Sequence, residues 1–250
     1  MGGAPGENSQ DDLNGSLPHF RSFVRGRMDR QLDSLPFEDW VAHVFDHQVR
    51  EPQWYFDANA PVWAAPAALS LAHMTRLFGD PGKYLARFDD GQLNQGFWYL
   101  VSNSGSNHMF ALRDSSVSLE SRIRCIESFA VLFAKLFASR CSEHLSHLPA
   151  PGANPLNLAC YMWWDIIPFL GAPGDASRAQ LDETALLVLE QILSLDCLAC
   201  RESALHGLGH WQHCYPERVR EIIDRAMSHG TDWPMQLVAY ARSARMGCVQ

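Results

Sequence analysis

Apolar positions along this chain recur at intervals of three and four, and no segment shows sustained two-residue alternation bounded by hairpin turns. The pattern predicts an all-α protein. Phe37, Trp40, Val41, Val44 and Phe45 share one side of a helix that opens with Ser34 as cap and Pro36 in its first turn. Ala64 to Phe78 is Ala-rich and ends at Gly79-Asp-Pro81, a helix stop. Asp89 or Asp90 caps the next helix, which runs to Val101, and Asn103 to Asn107 breaks it before a short segment to Leu112. Ser118 caps a long helix to about Arg140. Asn154-Pro155 opens one from Leu156 to Ile167, and Ser177 or a neighbour starts another through Leu195. Three more stretches follow: 197–213, Pro216 to about Ser228, and Trp233 to Met246, closed by Gly247. Between the first two helices, Trp54-Tyr55-Phe56 lies among prolines and reads as an ordered loop packed on the body. Residues 1–18 are polar and rich in Gly, Asn, Ser and Asp, so the expectation there is a disordered tail before one helical domain over 19–250.

The chain also looks self-similar. Leu93-Asn-Gln-Gly-Phe-Trp-Tyr-Leu100 can be laid over Ala204-Leu-His-Gly-Leu-Gly-His-Trp211, which brings Gly96 onto Gly207. A small-residue helix followed by a break and an amphipathic partner, repeated every roughly 35–50 residues, is the pattern of stacked helical hairpins. Gly within a helix costs about 1 kcal/mol against Ala, so Gly96, Gly207 and Gly209 predict close helix–helix approach. The run Glu202-Ser-Ala-Leu-His-Gly-Leu-Gly-His-Trp211 resembles the inner helix of HEAT repeats, including the variant of phycobilisome-lyase-like proteins. The resemblance covers about thirty residues and implies an α-α superhelix with a concave binding surface. It brings no catalytic residue with it.

Charge narrows the choice of partners. With 28 acidic against 20 basic side chains, the net charge of −8 disfavours nucleic acid and favours a basic protein partner. No apolar run reaches membrane-spanning length, and the start lacks a basic segment followed by an apolar one, so the expected location is the cytoplasm. Seven cysteines, an odd number and mostly within apolar helical stretches, read as reduced core residues.

One helix concentrates the candidate chemistry. At about 100° per residue, Glu202, His206, His210 and His213 fall on one stripe of 197–213, and Cys200, Ala204, Leu208 and Trp211 on the other. If the apolar side is core, the His stripe faces solvent or the concave surface. His206 and His210, at i and i+4, can chelate a divalent ion such as zinc, with Glu202 or His213 as third ligand. A polar helix face bonded to its neighbours explains the same residues without any cofactor. Cys197 and Cys200 would join the two histidines in a Cys2His2 site only if the helix began after Cys200, and a thioredoxin-like role lacks its βαβ setting. The paired His-Glu dipeptides of HEAT-type hydroxylases are missing. Asp165 beside Trp163 and Trp164 only superficially resembles the site of a helical-repeat DNA glycosylase.

The expectation from these residues is a non-enzymatic adaptor or toxin-neutralising protein. It would bind through helices 90–102 and 197–213, with Tyr99, Glu202, His206, His210 and His213 supplying contacts. The alternative is a metal-dependent or base-excising enzyme on the same scaffold.

Overall fold

The predicted stretches become helices in a computed structural model that describes residues 31–149, 152–229 and 232–249. The proposed tail at 1–18 lies outside the described residues. The helices are α1 (Phe37–Phe45), α2 (Ala67–Gly79), α3 (Pro81–Leu85), α4 (Asp90–Val101), α5 (Leu119–Leu132), α6 (Leu156–Ile166), α7 (Ala179–Leu193), α8 (Leu198–Trp211), α9 (Pro216–His229) and α10 (Met235–Arg245). The protein is all-α. One two-residue parallel pairing, Gln31–Leu32 against Val62–Trp63, departs from the helical expectation.

Local chemistry explains most of the boundaries. Asp89 caps α4 with a reciprocal pair: its carboxylate accepts from the Gln92 amide at 2.8 Å, and the Gln92 side chain accepts from the Asp89 amide at 3.1 Å. Ser118 accepts from the Ser121 amide at the start of α5. Ser34 does not cap α1, because the chain is still non-helical there and Pro36 occupies the cap position. The long helix after Ser118 continues past α5 through a π turn at Phe133–Phe137 and a last α turn at Ala138–Arg140. Gly247 ends α10 with φ of 76°, a left-handed conformation that only glycine takes cheaply.

The helices stand in two rows. In one, α2 packs on α5, α5 on α7, and α7 touches α9. In the other, α1 packs on α4, α4 on α6, α6 on α8, and α8 on α10. The rows meet where α8 packs on α7 and on α9, and where α9 packs on α10. Their shared core is aromatic. Trp163 on α6 sits among Phe78, Phe97, Phe129, Phe133 and Phe137, with ring centroids 5.4–5.8 Å away and the rings mostly edge to face.

Of Gly96, Gly207 and Gly209, two mark close helix contacts. A methyl group on Gly96 would run into the Phe45 ring of α1, and one on Gly207 would fall 2.7 Å from Trp164 of α6. Gly209 instead gives room to Val249, in the segment after α10. The third contact is therefore with the chain's return, where a neighbouring helix was expected.

Candidate metal centre

Helix α8 is enclosed by α6, α7, α9, α10 and the π turn. Its polar stripe is therefore not on an open face, contrary to the sequence expectation. Glu202 is fully buried and His206 is 1% exposed. Periodicity separated the polar from the apolar side correctly, but both sides found neighbours.

The stripe is instead met by polar groups from three other segments. α6 presents Tyr161 and Asp165, one turn apart; α10 presents Tyr240; the loop before α6 presents His147. Glu202 accepts from the Ser146 amide at 2.7 Å, the His147 amide at 3.0 Å and His147 Nδ1 at 2.6 Å. It thus ties the loop to α8, and those donors offset the cost of burying a carboxylate. The His147 ring lies flat on Tyr240, with centroids 4.3 Å apart.

Next along α8, His206 Nδ1 is 2.6 Å from the Tyr240 hydroxyl, which is 3.0 Å from the Tyr161 hydroxyl. Burial, then the neighbouring His210 and His147, push His206 down to about 3, so its imidazole is neutral in the physiological range. Burial likewise raises the Tyr161 and Tyr240 hydroxyls, which stay protonated. When Nδ1 carries the hydrogen and gives it to Tyr240, the Nε2 lone pair of His206 is free to bind a cation.

That Nε2 lies 3.1 Å from His210 Nε2, and His210 Nε2 lies 3.3 Å from Asp165 Oδ1. The donor atoms of Asp165, His206 and His210 are all within 4.8 Å of one another. Among the described residues they are the one group of three or more potential ligands that converges in this way. Ligands about 2.0–2.1 Å from a tetrahedral or octahedral ion stand about 2.9–3.4 Å from each other. Both measured spacings fall in that window. His206 is buried, His210 half-buried and Asp165 exposed, so the trio is closed on one side and accessible on the other.

No known family, characterised protein or solved structure matches this chain.

The remaining sequence candidates fall elsewhere. His213 lies past the end of α8, exposed and beside its neighbour Cys214, so it leaves the stripe where the helix stops. Neither it nor Glu202 joins the two histidines in the converging group; Asp165 does. The cysteines do not join the histidines, since Cys200 Sγ points at the Phe133 carbonyl and Cys160 Sγ at that of Ala199. Tyr99 is buried, 2% exposed, with its hydroxyl 3.1 Å from His43 Nε2. Close by, His108 receives the Trp40 indole N–H on Nε2, which leaves its Nδ1 hydrogen for Ser106 Oγ; Ser106 in turn donates to the Tyr99 carbonyl. Both ring nitrogens of His108 are used, and burial pushes its pKa down to about 3, so it is a neutral structural group.

Sequence reasoning missed Asp165 as a partner of the two histidines, together with Tyr161, Tyr240 and His147. Tyr161 and Asp165 did carry one signal, an i,i+4 polar pair that continues one turn back to Asn157 on a helix otherwise made of Leu, Ala, Cys, Met, Trp and Ile. A cleft of about 280 Å³, lined by Leu193, Ile222, Ala226, Arg201 and Trp233 among others, involves none of Asp165, His206 and His210.

Proposed function

We propose that this chain is a metal-dependent protein of the helical-hairpin-repeat type, holding one divalent transition-metal ion through Asp165, His206 and His210. The carrying observation is the approach of His206 Nε2, His210 Nε2 and Asp165 Oδ1 at spacings that fit one coordination sphere. The two rows of helices are what stacked hairpins would produce. Two neutral nitrogens and one carboxylate suit zinc or a similar borderline ion. Tyr240 would orient His206 from behind, as outer-shell partners of metal-bound histidines do.

Three protein ligands leave positions for water, and the exposed Asp165 side gives a small molecule access to them. Hydrolysis through a metal-activated water is the reaction class that fits such a site. A protein partner docking on this face would have to be met by Asp165, His210 and His213, because Glu202 and His206 are buried.

The test is the metal content of protein purified without a histidine tag, together with cobalt titration followed by visible absorption. One equivalent of metal, with binding at least ten-fold weaker in Asp165→Asn and in His210→Ala, is the expected result. Both side chains are partly exposed, so these variants should fold. Substoichiometric metal, and a melting temperature that zinc leaves unchanged, would overturn the proposal.

A further inference from the structure

The cleft that lies apart from the histidine cluster has walls of two kinds. It sits where the last turn of α7, the first turn of α8, the second half of α9 and the segment after α9 come together. Buried Leu193 and Ile222, with half-buried Ala226 and Trp233, form its apolar side. Its volume of about 280 Å³ is at the small end for ligand pockets, which hold about 300–1,000 Å³, so it suits a body of about one aromatic ring.

On the polar side, most of the charges and donors are already matched. Glu190 is met by two guanidinium groups, that of Arg225 and, at 3.4 Å, that of Arg218; Arg225 also holds Glu221 at 2.7 Å. Ser194 Oγ donates to the Gln191 carbonyl at 2.6 Å. His229 Nδ1 donates to the Arg225 carbonyl at 2.8 Å, which leaves Nε2 an acceptor in the neutral ring. Arg201 is less fully matched. Among the described residues it donates to Asp196 alone, at 3.2 Å, and that carboxylate is fully exposed, where an ion pair holds weakly. Its Nε is buried and has no partner among the described residues. The guanidinium carbon stands 5.9 Å from the centre of the Trp233 ring, so the cation and the aromatic wall are side by side.

From this arrangement we propose that the cleft binds a small aryl carboxylate, its charged end on Arg201 and its ring against Trp233, Leu193 and Ile222. The planar fork of an arginine matches a carboxylate with two parallel hydrogen bonds, and Arg201 has the donors to spare. An amine would have to compete with Arg218 and Arg225 for Glu190, so charge complementarity selects the anion over the cation. A neutral ligand of the same shape would fill the apolar side and leave Arg201 as it is. The cleft shares no residue with Asp165, His206 and His210, and the inference does not depend on a metal there.

Isothermal titration calorimetry of the full chain at neutral pH tests it, with phenylacetate, phenylacetamide and phenethylamine as probes. Phenylacetate should bind saturably with a Kd of about 1 mM or tighter, and the amide and the amine at least about ten-fold more weakly. Arg201→Gln should weaken phenylacetate at least about ten-fold, while Asp165→Asn leaves it unchanged. Trp233→Ala should weaken it as well, so the ligand is still placed if one variant fails to fold. The inference fails if phenylacetate does not saturate, if the three probes bind alike, or if affinity follows Asp165 instead of Arg201 and Trp233.

Discussion

Glu202→Gln is the most informative single change in this molecule. The glutamine has nearly the same volume, so any effect comes from charge and from the loss of one acceptor. In the native protein Oε2 accepts from the Ser146 amide at 2.7 Å, and Oε1 accepts from the His147 amide and Nδ1 at 3.0 and 2.6 Å. A glutamine amide must place its NH2 group against either Ser146 or His147, turning an attraction into a donor–donor contact. The bonds that remain also lose their charge assistance. A hydrogen bond to a charged group contributes about 1.5–3 kcal/mol, and a buried donor left unpaired costs about 1–3 kcal/mol. The loop backbone can recover part of this by moving out to water, so the net loss should be about 2–4 kcal/mol. For a chain of this size that is a melting temperature lower by about 4–16 °C. Urea unfolding at neutral pH measures it, with an unchanged m-value expected. A loss below about 0.5 kcal/mol would mean that the loop amides find other acceptors and that Glu202 does not tie the loop to α8.

Acid should weaken the fold through its neutral histidines. His43, His108 and His206 lie at about 4, 3 and 3 when folded, against 6.5 ordinarily, and burial is the leading cause in each. As the pH falls below 6.5, the unfolded chain takes up protons at these sites that the folded chain refuses. Their contribution is thus intact above 6.5 and declines by about 1.4 kcal/mol per pH unit per group down to the folded values. Urea midpoints that stay level between about pH 7 and pH 5 would contradict this. Gly207→Ala gains about 1 kcal/mol of helix propensity but drives a methyl to 2.7–2.8 Å from Trp164 and Leu189, which overpacks the contact by about 1–3 kcal/mol. A net destabilisation by chemical denaturation is expected. Gly82→Ala is its control: nothing lies within 4 Å of the new methyl on α3, so the change should be neutral or stabilising by up to about 1 kcal/mol.

Helix positions were legible in the sequence wherever a local rule applied. The Asp89 capping box, the Ser118 cap and the Gly247 stop depend only on residues a few places apart. Gly96 and Gly207 were also readable, since glycine inside a helix implies a close neighbour. Short α3 was passed over because Pro81 read as a stop, although proline also suits a first turn. The site was half legible. His206 and His210 follow from spacing along one helix, whereas Asp165 and Tyr240 come to them from helices about 40 and 30 residues away in sequence, across contacts that periodicity does not encode. The expected exposure of the stripe failed for the same reason. A polar side can be satisfied by tyrosine, histidine and backbone amides as well as by water.

The reach of Tyr240 back to His206 sets an order on assembly. Asp165, His206 and His210 are all synthesised before α10, yet the hydroxyl that holds the innermost imidazole belongs to α10. A nascent chain therefore holds all three side chains before it holds the tyrosine that orients one of them. The last segment of the cluster to be made is thus the one that fixes the ring of its most buried histidine.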